Sequence, residues 1–134
     1  MYLGLLNARE KELFIGLVQH LVLADGENSD EEQKMILSYC EEMHMPYVKE
    51  FTQMAEKEIV EELVQISTMQ SKKIISFELL GLALVDGRYD AKEQEMLQEM
   101  NERFGIADGY GKECEELIAD YIELQKKIEK VVLK

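Results

Sequence analysis

Twice in this chain an apolar helical run stops at Asp-Gly and a second run starts behind a capping residue. That paired punctuation restricts the fold more than any other feature. The first turn reads Ala24-Asp25-Gly26-Glu27-Asn28-Ser29-Asp30-Glu31-Glu32, and the second Val85-Asp86-Gly87-Arg88-Tyr89-Asp90-Ala91-Lys92-Glu93. In both, a Glu stands seven residues after the Asp, and the copies lie 61 residues apart (25 and 86). Glycine reaches the positive φ that ends a helix, and Ser29 and Asp90 are good N-cap residues. Glu32 and Glu93 then fall at the third helical position, where a glutamate completes a capping box. The pattern predicts two helix–acidic turn–helix units related by pseudo-symmetry.

The apolar spacing agrees. Asn7 and Glu10 have capping-box spacing, and Leu13, Phe14, Leu17, Leu21 and Ala24 recur at helical intervals up to Asp25. A second stripe, Met35, Ile36, Tyr39, Cys40 and Met43, runs out before Pro46, because the residue before proline avoids helical geometry. From Pro46 to about Thr68 the pattern suits one bent helix or two short ones. Phe51, Met54, Ile59, Leu63 and Ile66 supply its apolar positions, and Glu56, Glu58, Glu61 and Glu62 its solvated face. The stretch from about Ser71 to Val85 is apolar nearly all round and reads as the central helix. Gly81 in its middle suggests a close helix–helix approach. Glu78, its one charge, is expected at the rim of the bundle. Met96, Leu97, Met100 and Phe104 mark the next helix, which Gly105 ends. The last runs over about 112–132 on Leu117, Ile118, Tyr121, Ile122, Leu124 and Ile128. The expectation is an all-α, single-domain bundle of six or seven helices spanning 1–134. Its first unit covers about 8–45, the middle segment about 46–70, and the second unit about 71–105.

A chain of 134 residues with 46% hydrophobic content can bury one real core despite 32% charged residues. The formal charge of −13 argues against nucleic acid and against an anionic membrane surface. A nucleic-acid mimic would carry its acids along one face, whereas here they recur on every predicted helix. Cys40 and Cys114 are far apart and suit a reducing compartment. No run is long enough to span a membrane, and the first residues lack the basic region of a signal peptide, so a cytoplasmic location without membrane insertion is expected.

The two turns carry the chemistry worth testing. Asp-Gly-x5-Glu matches the second half of an EF-hand loop, but the first two ligand positions fall on Leu21 and Leu23, and on Leu82 and Leu84, so an EF-hand is excluded. A different carboxylate site remains open. Asp25 and Asp86 fall at helix C-termini, where the macrodipole disfavours a negative charge by about 0.3–1 kcal/mol; a bound cation reverses that sign. The candidate ligands are Asp25, Glu32, Asp86 and Glu93, with Glu27, Asp30 and Asp90 nearby. An all-oxygen set selects a divalent cation such as Ca²⁺, Mg²⁺ or Mn²⁺ over Zn²⁺. The competing reading is purely structural: Asp-Gly is a good turn and both Glu are explained as capping residues. Zinc at Cys40 and His44, four residues apart, with His20 and Cys114, lacks the paired spacing such sites show, and His44 is expected exposed on a last turn. His20 has no nucleophile at triad spacing.

The pattern apolar-Ala-Asp-Gly-Glu-x-Ser-x-Glu-Glu, echoed as apolar-Asp-Gly-x5-Glu, resembles the TerB-like family, named for tellurite-resistance protein TerB, over roughly Glu10 to Phe104. The resemblance implies an all-helical domain of two pseudo-symmetric halves, metal binding at Asp25, Glu32, Asp86 and Glu93, and a role in tellurite or other chemical stress. Arg88 and Lys92 depart from the pattern and place positive charge beside the second copy, so the first turn is the better cation candidate. The functional expectation is a non-enzymatic acidic helical module that binds a divalent cation. The alternative is a metal-independent protein–protein interaction (adaptor) domain whose carboxylates cap helices and solvate the surface. Either reading implies a protein partner that the sequence does not identify, and the sequence does not choose between monomer and homodimer.

Overall fold

The computed structural model describes residues 1–25, 30–46, 53–84 and 89–134, except for the side chains of residues 23–25 and 31. Among these residues a 3₁₀ turn (Leu3–Leu5) precedes six helices and no strand is present. The helices are α1 (Ala8–Asp25), α2 (Asp30–Glu42), α3 (Glu56–Ile66), α4 (Met69–Leu84), α5 (Ala91–Phe104) and α6 (Tyr110–Val132). The fold is an all-α bundle.

Local chemistry accounts for the helix starts. At α1, Asn7 Oδ1 accepts from the Glu10 amide and the Glu10 carboxylate accepts from the Asn7 amide, both at 2.9 Å. At α5, Asp90 Oδ1 accepts from the Glu93 amide at 2.8 Å, and Glu93 accepts from the Asp90 amide at 3.3 Å. Thr68 caps α4 by accepting from the Ser71 amide, and Glu58 reaches back to the Ala55 amide ahead of α3. Each bond satisfies a first-turn amide that has no partner inside its helix.

Two helices end in the same motif with different residues. After α5, the amide of Gly105 bonds the Glu102 carbonyl and that of Ile106 bonds the Asn101 carbonyl, with Gly105 left-handed at φ 73°. After α2, the amide of His44 bonds the Glu41 carbonyl and that of Met45 bonds the Cys40 carbonyl, with His44 at φ 56°. These are Schellman closures. So α2 stops at Glu42 by its own backbone rather than by running up to Pro46, and His44 is an exposed residue beyond the helix rather than on its last turn.

The core has two central helices, where the periodicity singles out one. α4 packs against α1, α5, α6 and the 3₁₀ turn; α1 packs against α3, α4 and α5. Along α1 the residues Leu13 to Val18 are buried on all sides, which its apolar stripe alone understates. Phe14 meets Tyr39 of α2 edge to face, with ring centroids 5.3 Å apart. The Tyr39 hydroxyl donates to the Glu78 carbonyl at 2.9 Å, joining α2 to α4. Among the described residues Gly81 marks no close approach. A Cβ built there meets no described atom within 4 Å, because the face of α4 that carries it is half-open.

Glu78 is also displaced from expectation. It is buried (4% exposed), not at the rim, and burial pushes its carboxyl upward. The Met1 ammonium, 3.0 Å from one carboxylate oxygen and 3.2 Å from the other, pulls the opposite way and also meets Glu42 at 3.2 Å. A charge buried in this way needs a partner of opposite sign. α3 is the only helix described between residues 53 and 68. Its acidic face is not merely solvated. Glu62 holds Arg9 of α1 through two bonds of 2.5 and 2.7 Å, and Glu61 holds Arg103 of α5.

Candidate functional site

Three of the four helices that flank the turns meet in the core, since α1 packs against α4 and α5. α1 ends at Asp25, so the first Asp stands at a helix C-terminus as its position before Gly26 predicts. Its side chain, with Gly26, Glu27, Asn28 and Ser29, lies outside the described residues. α2 opens with Asp30, which is exposed, and Glu32 follows at the third position, 2% exposed. In the second copy α4 ends at Leu84, and Val85, Asp86, Gly87 and Arg88 lie outside the described residues.

From Tyr89 onward the second turn belongs to the described residues. Asp90 is the N-cap of α5, Lys92 is exposed, and Glu93 is 1% exposed. The Tyr89 carbonyl accepts from Gln94 Nε2 at 3.0 Å. Burial, followed by the charges of Glu115 and Glu93, pushes the Tyr89 hydroxyl up to about 12. The phenol therefore stays protonated at neutral pH and can only donate or accept a hydrogen bond there.

Glu32 and Glu93 thus occupy matching places: the third residue of the helix after each turn, almost fully buried. Both are engaged by neighbours. Glu93 is a capping residue by direct geometry. Glu10 gives a measure of what capping alone does in this protein. It caps α1 at the same third position with no Asp-Gly turn ahead of it, is 3% exposed, and also accepts from the Ser67 hydroxyl at 2.6 Å. Among the described residues no three His, Cys, Asp or Glu side chains gather closely enough to hold a metal. The carboxylates that would complete the cation set, Asp25 and Asp86, lie outside the described side chains.

The soft-ligand residues are scattered. Cys40 and Cys114 are buried free thiols, each pushed upward first by burial, and His44 faces solvent. His20 sits with Nε2 2.9 Å from the Met54 carbonyl.

A feature the periodicity missed is a cleft of about 400 Å³ between α3 and α5, lined by Glu56, Glu61, Glu99, Glu102, Lys57 and Arg103. Burial raises Glu56, which the charge of His20 partly offsets. Helical spacing shows which residues share a face, not which two helices will leave a gap between them. No protein-family model, curated protein or solved structure matches this chain.

Proposed function

We propose that this protein is a non-enzymatic acidic helical module of the TerB-like type, built from two pseudo-symmetric units, that binds a divalent cation at its Asp-Gly turns. The observation that carries the reading is the matched burial of Glu32 and Glu93 at the heads of the two helices that follow those turns. Both carboxylates are already held by neighbours, Glu93 through the Asp90 amide. The Asp that precedes each by seven residues brings a second carboxylate to the same turn. Asp25, Glu32, Asp86 and Glu93 are the assigned ligands, with Glu27, Asp30 and Asp90 as secondary ones. The first turn is the stronger site, because Arg88 and Lys92 flank the second. The oxygen ligands choose Ca²⁺, Mg²⁺ or Mn²⁺. The resemblance of the turns to the TerB-like pattern implies a role in the response to tellurite or related chemical stress.

A second reading has its own observation. Glu10 is as buried as Glu32 and Glu93 yet belongs to no Asp-Gly turn, so capping suffices to bury a third-position glutamate here. On that reading the domain is a metal-independent adaptor for a protein partner. Thermal melts separate the two, since a ligand that binds only the native state must raise the midpoint. A cation at about 100 times its Kd adds about 2.7 kcal/mol, a shift of several degrees. Asp25→Asn abolishes that shift on the cation reading. Midpoints unmoved by all three ions assign the turns to capping.

A further inference from the structure

The last helix is only half used by the bundle. Cys114 and Ile118 are buried on α4, and Ile122 is partly covered. On the adjoining face Leu117, Tyr121, Leu124 and Ile128 are 45–56% exposed, and Val131 is 79% exposed. Their spacing is four, three, four, three, the a/d seam of a heptad repeat, with Tyr121 and Ile128 at a and Leu117, Leu124 and Val131 at d. A seam of this period does not serve packing on α4, because the residues that do so lie to one side of it.

We propose that this seam binds a second copy of the chain, α6 against α6, antiparallel. Charge selects the occupant and its direction. Residues 110–134 hold six acidic and five basic residues, so −12 of the formal −13 lies elsewhere in the chain. The helices α1 and α4 carry as little net charge but are spent on the core, so α6 is the outward-facing long helix on which two copies can meet with little net repulsion. Its charges are also graded. Over residues 110–134, five of the six acids precede Leu124 and four of the five lysines follow it. Parallel pairing sets acids beside acids and lysines beside lysines. Antiparallel pairing sets each acidic half against a basic half and holds the two acidic bundles at opposite ends.

One register pairs four of the five seam residues and leaves Val131 past the last layer, opposite the buried Cys114. With the two-fold axis between Ile122 and Glu123, Tyr121 of each copy faces Leu124 of the other and Leu117 faces Ile128, an a against a d in every layer. The same register places Asp120 beside Lys127 of the other copy, twice by symmetry. Both residues are exposed in the single chain and stand at the g positions that flank an antiparallel seam.

Sedimentation equilibrium on the full chain tests the assignment. A concentration-dependent dimer is expected, and Leu124→Glu, on an exposed position that leaves the core intact by circular dichroism, weakens it by about a hundredfold or more. Asp120→Lys or Lys127→Asp alone weakens it by about tenfold, and the double reversal restores it. On oxidation, a mixture of Tyr121→Cys and Leu124→Cys chains cross-links between the two variants. A monomer at every concentration, which leaves the seam to a different protein, overturns the proposal. So does a dimer indifferent to Leu124→Glu, or Leu124→Cys chains that cross-link best to themselves, the mark of parallel pairing.

Discussion

Single residues in this protein often do work that their neighbours in sequence conceal. Gly81 lies in the middle of the helix with the most partners, yet no described atom stands within 4 Å of the Cβ it lacks. Glycine there carries the full backbone-entropy penalty without a packing return. Gly81→Ala is therefore expected to stabilise the fold by about 0.5–1 kcal/mol and raise the melting midpoint by about 2–5 °C. A drop in the midpoint would show that α4 is approached on that face after all. His44 is the converse case. It takes the left-handed conformation usually left to glycine, because two backbone bonds of the α2 closure hold it there. Glu78 is the third. A lone glutamate in an apolar helix reads as a rim residue, and only the fold brings the Met1 ammonium to it.

At the scale of elements, α3 shows how charge is used between helices. It is a short helix tied on one side to α1 by Glu62–Arg9 and on the other to α5 by Glu61–Arg103. The hydrogen bonds and charge of Arg9 hold the Glu62 carboxyl below its ordinary value of 4.5. A depressed carboxyl contributes stability above its unfolded value and loses it as pH falls through the folded one. Arg9 is about half exposed, so solvent limits the contribution to about 1 kcal/mol or less. Arg9→Met should lower the urea midpoint at pH 7 and differ little from the parent protein at pH 3. Equal losses at both pH values would mean that Arg9 acts through the packing of its aliphatic stem. The seam of α6 belongs to this scale as well: a helix whose exposed face is periodic and whose charge is graded end to end.

For the whole molecule, 28 acidic residues face 15 lysines and arginines, a formal charge of −13. Self-repulsion of that size opposes compactness at low ionic strength, where the Debye length reaches about 30 Å at 0.01 M and shrinks to about 8 Å at 0.15 M. Raising sodium chloride across that range is expected to raise the melting midpoint by a few degrees, since more like-charge pairs than ion pairs are screened. A falling midpoint would show that the surface bridges of α3 outweigh the general repulsion. Among the described residues no helix is long and apolar enough to cross a membrane, which agrees with the absence of a spanning run in the sequence.

The sequence by itself determined the helices and much of their punctuation. The capping boxes at Asn7–Glu10 and Asp90–Glu93 and the stop at Gly105 are short-range matters, settled by bonds between residues three to five apart, and helical spacing shows the apolar stripes of α1, α2 and α5. It also named the two acidic turns and, at Glu32 and Glu93, two of the four carboxylates buried among the described residues. Tertiary structure decided everything that depends on what lies across a gap. It gave α1 a central place beside α4, left no described atom within 4 Å of the Cβ that Gly81 lacks, buried Glu78 against a distant ammonium, paired Glu61 and Glu62 of α3 with arginines and opened a cleft beside them. It also separated the two apolar faces of α6, one spent on α4 and one left outward. Helical periodicity reports that a side is apolar; only packing determines whether the bundle has a helix to cover it.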